Sequence, residues 1–280
     1  MQRFFGIFIT FLVSAFLLAA AAQARPRGDE RNVFTSYYTP EYLEFKKGIM
    51  DEFSKVKAGK FSEFVKYDRK GKDKSVDQKV IALTFDACGG RHSGYNAALI
   101  EYLRKEQIPA TLFVTGIWIE KNKETFAQLA KDPLFEIENH GLMHRLCSTE
   151  GKTKYGVHAT RNLSDVIDEM ELCARKIAQL TGRRPIFFRS ATAYTDELAI
   201  KVAARLGMEV VSYDILAGDA MKASGKTMSR NILNGARHGA VVIMHFNHPE
   251  LQEKQALELS VPELRRRGYN FIKLEDFSIK

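Results

Sequence analysis

The stretch KVIALTFDACGG, residues 79–90, decides the fold prediction, because an apolar run ends there in a carboxylate, a thiol and two glycines. The run lacks polar alternation, which is typical of a strand buried on both faces of a sheet. Asp86 and Cys88 stand at the C-terminal end of this run. The stretch therefore predicts a buried strand whose far end carries functional side chains.

Further apolar runs follow it and alternate with segments of helical periodicity. The runs are ATLFVTG (110–116), LFEIEN (134–139), PIFFR (185–189), EVVSYD (209–214), AVVIMH (240–245) and NFIKL (270–274). One helix is predicted from an N-cap at Ser164 to a stop at Gly182, and another from Thr195 to Gly207. This alternation predicts an α/β fold of parallel strands and crossover helices, either a doubly wound sheet or a barrel.

The N-terminal region predicts export. Residues 1–24 carry Arg3, an apolar core and the small-residue end Ala22-Gln23-Ala24, which is the layout of a signal peptide; an uncleaved anchor is the alternative. Residues 25–78 predict an N-terminal extension with a helical pattern and a charged linker, and residues 79–280 a catalytic domain. We therefore expect a periplasmic or secreted protein.

Charge and cysteine content narrow the partners. The net charge is +8 at pH 7, and in an exported protein this favours an anionic envelope surface over nucleic acid, with a solvated basic face as the alternative. The 3 cysteines are too few for a disulfide scaffold, although one bridge and one free thiol would suit an exported chain.

Ionisable residues gather at the predicted strand ends. These residues are Asp86, His140, Arg189, Asp214 with Asp219 shortly after it, and His245. Parallel α/β folds assemble their active sites at the C-terminal ends of strands. The pattern therefore predicts one active site that is built from several strands.

The segment ENHGLMH, residues 138–144, predicts a metal site. His140 and His144 are four residues apart, so one helical turn would place both imidazoles on one face, where they could hold a divalent metal. Such a metal lowers the pKa of a bound water and makes amide or ester hydrolysis available near neutral pH.

The remaining polar residues could supply proton transfer. Asp86 has the chemistry of a base and His245 that of an acid for the leaving group. Arg189 could orient Asp86, and Asp219 could stabilise the charged form of His245. Alternatively, Arg189 and Asp219 only close buried ion pairs.

Five segments in this order resemble the motifs of the polysaccharide deacetylases with a NodB homology domain, carbohydrate esterase family 4. The segments are TFDACGG, ENHGLMH, PIFFRSA, VVSYDILAGDA and VVIMHF, within residues 78–280. The resemblance implies a deformed (β/α) barrel, a divalent metal that is often zinc, and removal of N-acetyl groups from N-acetylhexosamines. It also implies a role for each matching residue: base for Asp86, metal ligands for His140 and His144, partner of the base for Arg189, fourth-motif aspartate for Asp219, and general acid for His245.

The chain departs from the family pattern at several positions. Ala87 stands where the family has a second, metal-binding aspartate; Ser190 follows Arg189 where a proline is usual; and Ala220 replaces a tryptophan. Three arrangements could replace the missing ligand: Asp86 binds the metal, Cys88 binds it as a thiolate, or two histidines and water suffice. Cys88 could instead be a packing residue or form a disulfide with Cys147.

Two functions follow from these patterns. The first is an exported metal-dependent hydrolase that deacetylates N-acetylhexosamine residues of peptidoglycan, a chitin-like oligomer or an exopolysaccharide. The alternative is a non-catalytic, glycan-binding envelope protein that has lost its metal, which Ala87 favours. Hydrolysis of a different amide or ester would use the same chemistry.

Overall fold

The computed structural model describes residues 34–63, 79–90 and 93–277. Its helices are α1 (Pro40–Phe53), α2 (Ala97–Lys105), α3 (Gly116–Lys121), α4 (Lys123–Ala130), α5 (Leu163–Thr181), α6 (Glu197–Arg205), α7 (Gly225–Gly235) and α8 (Glu253–Arg266). Its strands are β1 (Phe61–Ser62), β2 (Lys79–Ala87), β3 (Ala110–Val114), β4 (Phe135–Asn139), β5 (Phe187–Phe188), β6 (Thr195–Asp196), β7 (Glu209–Val210), β8 (Ile215–Leu216), β9 (Ala240–His245) and β10 (Tyr269–Ile272). Short 3-10 turns lie at Thr35–Tyr37, Ala191–Ala193, Asp219–Met221 and Leu274–Asp276.

The main sheet is parallel and curls into a half-barrel. Its order is β7-β5-β4-β3-β2-β9-β8, and β10 pairs with the first half of β2. Strand β2 lies inside the sheet between β3 and β9, and residues 81–87 of it are buried, as the uninterrupted apolar run predicts. The structure thus confirms the parallel α/β prediction.

Two predicted strands are much shorter than their apolar runs. The run 185–189 forms only β5, and the run 209–214 forms only β7. Beyond the end of β7, the carbonyls of Val211 and Ser212 accept hydrogen bonds from the Arg189 side chain, at 3.4 and 3.1 Å. A functional side chain therefore takes the place of sheet pairing.

Both predicted helix starts are wrong by one or two residues. Helix α5 has Asn162 as its N-cap, whose side chain accepts from the Asp165 N–H at 2.9 Å, and Ser164 lies in the first turn. Helix α6 has Asp196 as its N-cap, while Thr195 belongs to β6. In each case an Asn or Asp oxygen reaches the free N–H groups of the first turn. The predicted stop at Gly182 is confirmed, with a left-handed φ of 73°.

Part of the N-terminal extension packs on the domain. Helix α1 covers α5, and Tyr42 and Lys46 both bond to Asp168, at 2.6 and 2.7 Å. Strand β1 pairs antiparallel with β6. The predicted signal peptide and the charged linker of residues 67–78 lie outside the described residues. Among the helices of the described residues, none is long and apolar enough to cross a bilayer.

Candidate active site

The strand ends bring the predicted site residues to one edge of the barrel. The pairing of β2 with β9 sets Asp86 directly opposite His245. His140 follows the last residue of β4, and Arg189 follows the last residue of β5. Because the strands are parallel and in register, residues far apart in sequence meet there.

Asp86 and Arg189 form a buried ion pair. Arg189 Nη1 lies 2.7 Å from Asp86 Oδ1, and both side chains are almost completely buried. The same nitrogen donates to Thr84 Oγ1 at 2.9 Å, and the guanidinium lies over the Phe113 ring at 4.1 Å. A buried charge needs such partners to offset its lost hydration. The pair holds Asp86 in one orientation, with Oδ2 3.6 Å from His140 Nε2.

His245 and Asp219 form a second pair. One Asp219 oxygen accepts from the His245 backbone N–H at 2.5 Å and from its Nδ1–H at 2.9 Å. Burial alone would lower the pKa of His245, but the Asp219 carboxylate and the Cys88 thiolate raise that pKa well above its ordinary value. Asp219 thus favours the protonated form of His245, and because Nδ1 is bonded to Asp219, Nε2 is the ring nitrogen that remains for proton transfer.

The two metal-ligand candidates meet through a loop, so the predicted helical turn is wrong. The residues between β4 and α5 include no helix, and Gly141 and His144 both have a positive φ, 90° and 56°. The loop nevertheless brings the rings of His140 and His144 to a centroid distance of 4.9 Å. His140 donates its Nδ1–H to the Arg189 carbonyl at 2.8 Å, which leaves Nε2 as the ligand atom.

Glu169 of α5 holds this loop, and sequence reasoning missed it. Its carboxylate accepts from the Met143 N–H at 3.0 Å and from the Arg145 N–H at 2.9 Å. A side chain on Gly141 would put a Cβ 2.4 Å from Glu169 Oε1, so the loop needs glycine there. The sequence signal is faint, because a glutamate beside the apolar positions of a helix is ordinarily solvated.

Cys88 completes a cluster of three donors. Its Sγ lies 3.8 Å from His140 Nε2, and the donor atoms of Cys88, His140 and His144 all lie within 4.8 Å of one another. Ala87 is fully buried and offers no ligand atom. Burial alone would raise the pKa of the Cys88 thiol, but the charges of His144 and His245 lower it well below its ordinary value. A thiolate and two imidazoles fit a divalent metal, and zinc in particular.

Comparison with known proteins identifies the family. Residues 73–211 match the family model described as Polysaccharide deacetylase. The chain belongs to the polysaccharide deacetylase family. The matched range ends before Asp219 and His245, so the roles of these two residues rest on the motif resemblance and on the geometry above.

Similar proteins are named as peptidoglycan deacetylases. The chain is 25% identical over 203 residues to a peptidoglycan-N-acetylglucosamine deacetylase of Bacillus cereus, covering 71% of this chain and 88% of that protein. It is 24% identical over 206 residues to the peptidoglycan-N-acetylmuramic acid deacetylase PdaA of Bacillus subtilis, covering 72% of each. These matches confirm the prediction of a polysaccharide deacetylase, a hydrolase by class.

Solved structures share the fold. A peptidoglycan N-acetylglucosamine deacetylase superposes with a TM-score of 0.62 at 21% identity, covering 72% of this chain and 88% of that one. A CE4 family pseudoenzyme from Bacillus anthracis gives 0.60 at 20% identity, covering 72% and 66%. The deformed (β/α) barrel of the NodB type is thereby confirmed.

The cysteines of this deacetylase are free thiols, so the predicted Cys88–Cys147 disulfide is wrong. Cys147 is buried and its backbone pairs with Thr195, while its N–H bonds to Ser190 Oγ at 3.0 Å. The loop therefore carries Cys147 toward β6, whereas Cys88 faces the histidines. Burial raises the pKa of the Cys147 thiol well above its ordinary value.

The structure also shows the surroundings of Asp214, which was expected at the site, and of Ser190, which replaces the family's proline. Asp214, at a predicted strand end, does not join the site, because its carboxylate binds Arg237 at 2.5 Å and the Val241 N–H at 2.8 Å. Ser190 stands where the family has proline, and its hydroxyl donates to the Tyr194 carbonyl at 2.7 Å. In this deacetylase a hydrogen bond thus shapes the segment that a proline ring would stiffen.

Proposed function

We propose that this deacetylase is an exported, metal-dependent hydrolase that removes N-acetyl groups from N-acetylhexosamine residues of a glycan. The observation that carries the proposal is the position of two pairs, the buried pair Asp86–Arg189 and the partly buried pair His245–Asp219, next to the donor cluster of Cys88, His140 and His144. Peptidoglycan is the favoured polymer, because the named relatives act on it.

We propose His140, His144 and Cys88 as the ligands of the metal. A bound divalent metal supplies a water of lowered pKa and a Lewis acid for the acetamide carbonyl. Asp86 is the weaker candidate for the third ligand, because its Oδ1 is committed to Arg189 at 2.7 Å. The thiolate of Cys88 takes over the function of the aspartate that Ala87 replaces.

The protein side chains account for the proton transfers. Asp86, oriented by Arg189, accepts the proton of the attacking water. His245 donates its Nε2 proton to the nitrogen as the C–N bond breaks, and Asp219 stabilises its charged form. The products are acetate and the free amine of the sugar.

Acetate release tests this function. Peptidoglycan and N-acetylglucosamine oligomers are incubated with the metal-loaded protein, with the chelated protein and with the D86N variant. We expect acetate from the loaded wild type and a loss of about 10²–10⁴-fold in D86N, as for removal of a general base. A metal-loaded wild type that releases no acetate would count against the hydrolase, and a wild type that binds glycan but no metal would support the non-catalytic alternative.

Export is proposed from residues 1–24. Fractionation of the producing cell and N-terminal sequencing of the mature protein test it. A chain beginning at Arg25 in the envelope or medium is the expected result, and an intact N-terminus in the cytoplasm would contradict it.

A further inference from the structure

Three aromatic rings meet at the surface of the domain, and one of them, Tyr194, belongs to the segment that follows Arg189. Phe61 of β1 lies 5.3 Å from Tyr194, ring centroid to ring centroid, and Tyr155 lies 5.8 Å from Tyr194. The Lys154 ammonium lies over the rings of Tyr155 and Tyr194 at 5.3 and 5.6 Å. We call Phe61, Tyr155 and Tyr194 the aromatic platform. None of its rings is buried, and Tyr155 is 36% exposed.

The platform is anchored to the residues that hold Arg189. Ser190 directly follows Arg189 in the chain, and its hydroxyl donates to the Tyr194 carbonyl at 2.7 Å. On the other side, Ser212 accepts from Arg189 Nη2 at 3.1 Å and donates its hydroxyl to the Glu63 carbonyl at 3.0 Å. Glu63 directly follows β1, so hydrogen bonds connect the strand that carries Phe61 to Arg189.

The backbone beneath the platform is strained. Thr192 and Ala193 have φ values of 55° and 61°, and Tyr155 has a φ of 53°; none of them is glycine. Such conformations cost about 1–3 kcal/mol each and persist where the surrounding structure imposes them, often at ligand-binding sites. Thr192 and Ala193 directly precede Tyr194, and Tyr155 is itself one of the rings. The strained backbone therefore lies at the positions that hold these two rings at the surface.

We propose that the aromatic platform is a glycan-binding subsite that takes a pyranose ring of the polymer next to the unit being deacetylated. The inference rests on the proposed function for the identity of the polymer. The C–H face of a hexosamine packs on aromatic faces, and the Lys154 ammonium donates hydrogen bonds to sugar oxygens. Part of the N-terminal extension, through Phe61, thereby belongs to the substrate-binding surface.

Binding is tested on the full chain by calorimetry with N-acetylglucosamine pentamer and with the monosaccharide. The wild type is expected to bind the pentamer more tightly than the monosaccharide. F61A, Y155A and Y194A are each expected to lose about tenfold in affinity for the pentamer, which corresponds to one buried ring contact. Y194F keeps the ring and is expected to bind the pentamer more tightly than Y194A does.

Y38A is the matched control, because Tyr38 is a tyrosine with 40% exposure on the α1 side of the domain. Y155A lies in an exposed turn, so it tests the proposal even if F61A disturbs the pairing of β1 with β6. Pentamer affinity equal to wild type in all three alanine variants would overturn the subsite. So would a wild type that binds the pentamer no more tightly than the monosaccharide.

The test is independent of the proposed reaction, because binding is read without turnover. Acetate release with unchanged binding in the three variants would overturn the subsite and leave the hydrolase standing. Ring-dependent binding of the pentamer without acetate would support the subsite and count against the hydrolase.

Discussion

Cys88 Sγ lies 3.8 Å from His140 Nε2, and both atoms belong to one cluster with His144. The cluster forms although the residue that follows Asp86, the proposed base, is an alanine. The thiol of Cys88 is the ligand that we propose in place of the carboxylate, one position later in the sequence and softer in its chemistry. This relationship sets the first prediction.

The cobalt(II)-substituted protein should show a sulfur-to-metal charge-transfer band in the near ultraviolet, because the ligand proposed at position 88 is a thiolate. C88S should lose the band and bind zinc at least about tenfold more weakly, since losing even an outer partner of a metal site costs about 10–100-fold. C173A is the control, because Cys173 lies on the buried face of α5 and its thiol donates to the Val114 carbonyl, away from the donor cluster. A wild type that binds cobalt without the band would contradict thiolate ligation.

E169Q should weaken zinc affinity about 10–100-fold, because Glu169 orders the loop that carries both histidines. The amide keeps the shape of the side chain and loses the charge that strengthens the bonds from Met143 and Arg145. E171Q is the matched control on the same helix, since Glu171 pairs instead with Arg175 and Arg184. Equal zinc affinity in the two variants, measured by competition with a chelator, would show that Glu169 has no part in the metal site.

D219N should shift the alkaline limb of the pH profile of kcat for deacetylation to lower pH, so that the profile becomes narrower. The general acid must be protonated, and Asp219 is the principal group that raises the pKa of His245 against the effect of burial. Without that carboxylate the pKa of His245 falls, so the descending alkaline limb of kcat moves to lower pH. An alkaline limb at the wild-type position in D219N would assign that limb to another group.

E253Q should flatten the pH dependence of folding stability. Burial, together with the charge of Asp219, raises the pKa of Glu253 to about 8. Between about pH 4.5 and about pH 8 the folded chain keeps a proton that the unfolded chain has released, so the free energy of unfolding falls as the pH rises. The slope due to this group is at most about 1.4 kcal/mol per pH unit.

Urea unfolding at a series of pH values measures this effect. E258Q is the control, because Glu258 lies on the same helix, is exposed and pairs with Lys254 at 2.7 Å. If wild type and E253Q give parallel curves over this range, Glu253 does not carry the buried proton.

The charged residues at the strand ends could be predicted from the sequence, because local sequence patterns indicate where each strand ends. Apolar runs predict buried strands, and parallel strands place their C-terminal ends together, so Asp86, Arg189 and His245 could be expected at one edge. The structure brings them there, at 2.7 Å for Asp86 and Arg189. Asp214 also stands at the end of a predicted strand, but it pairs with Arg237 outside the site. The sequence pattern could not distinguish it, because the pattern does not specify where a side chain points.

The sequence by itself determined the α/β fold, the order of the motifs and most of the candidate residues, because strand, helix and family patterns are local. Tertiary structure decided what completes the site. Cys88 joins His140 across 52 positions, Glu169 holds a loop with a left-handed His144, and Phe61 meets Tyr194 through the pairing of β1 with β6. These contacts depend on distances and backbone angles between distant segments, which no spacing in the sequence specifies.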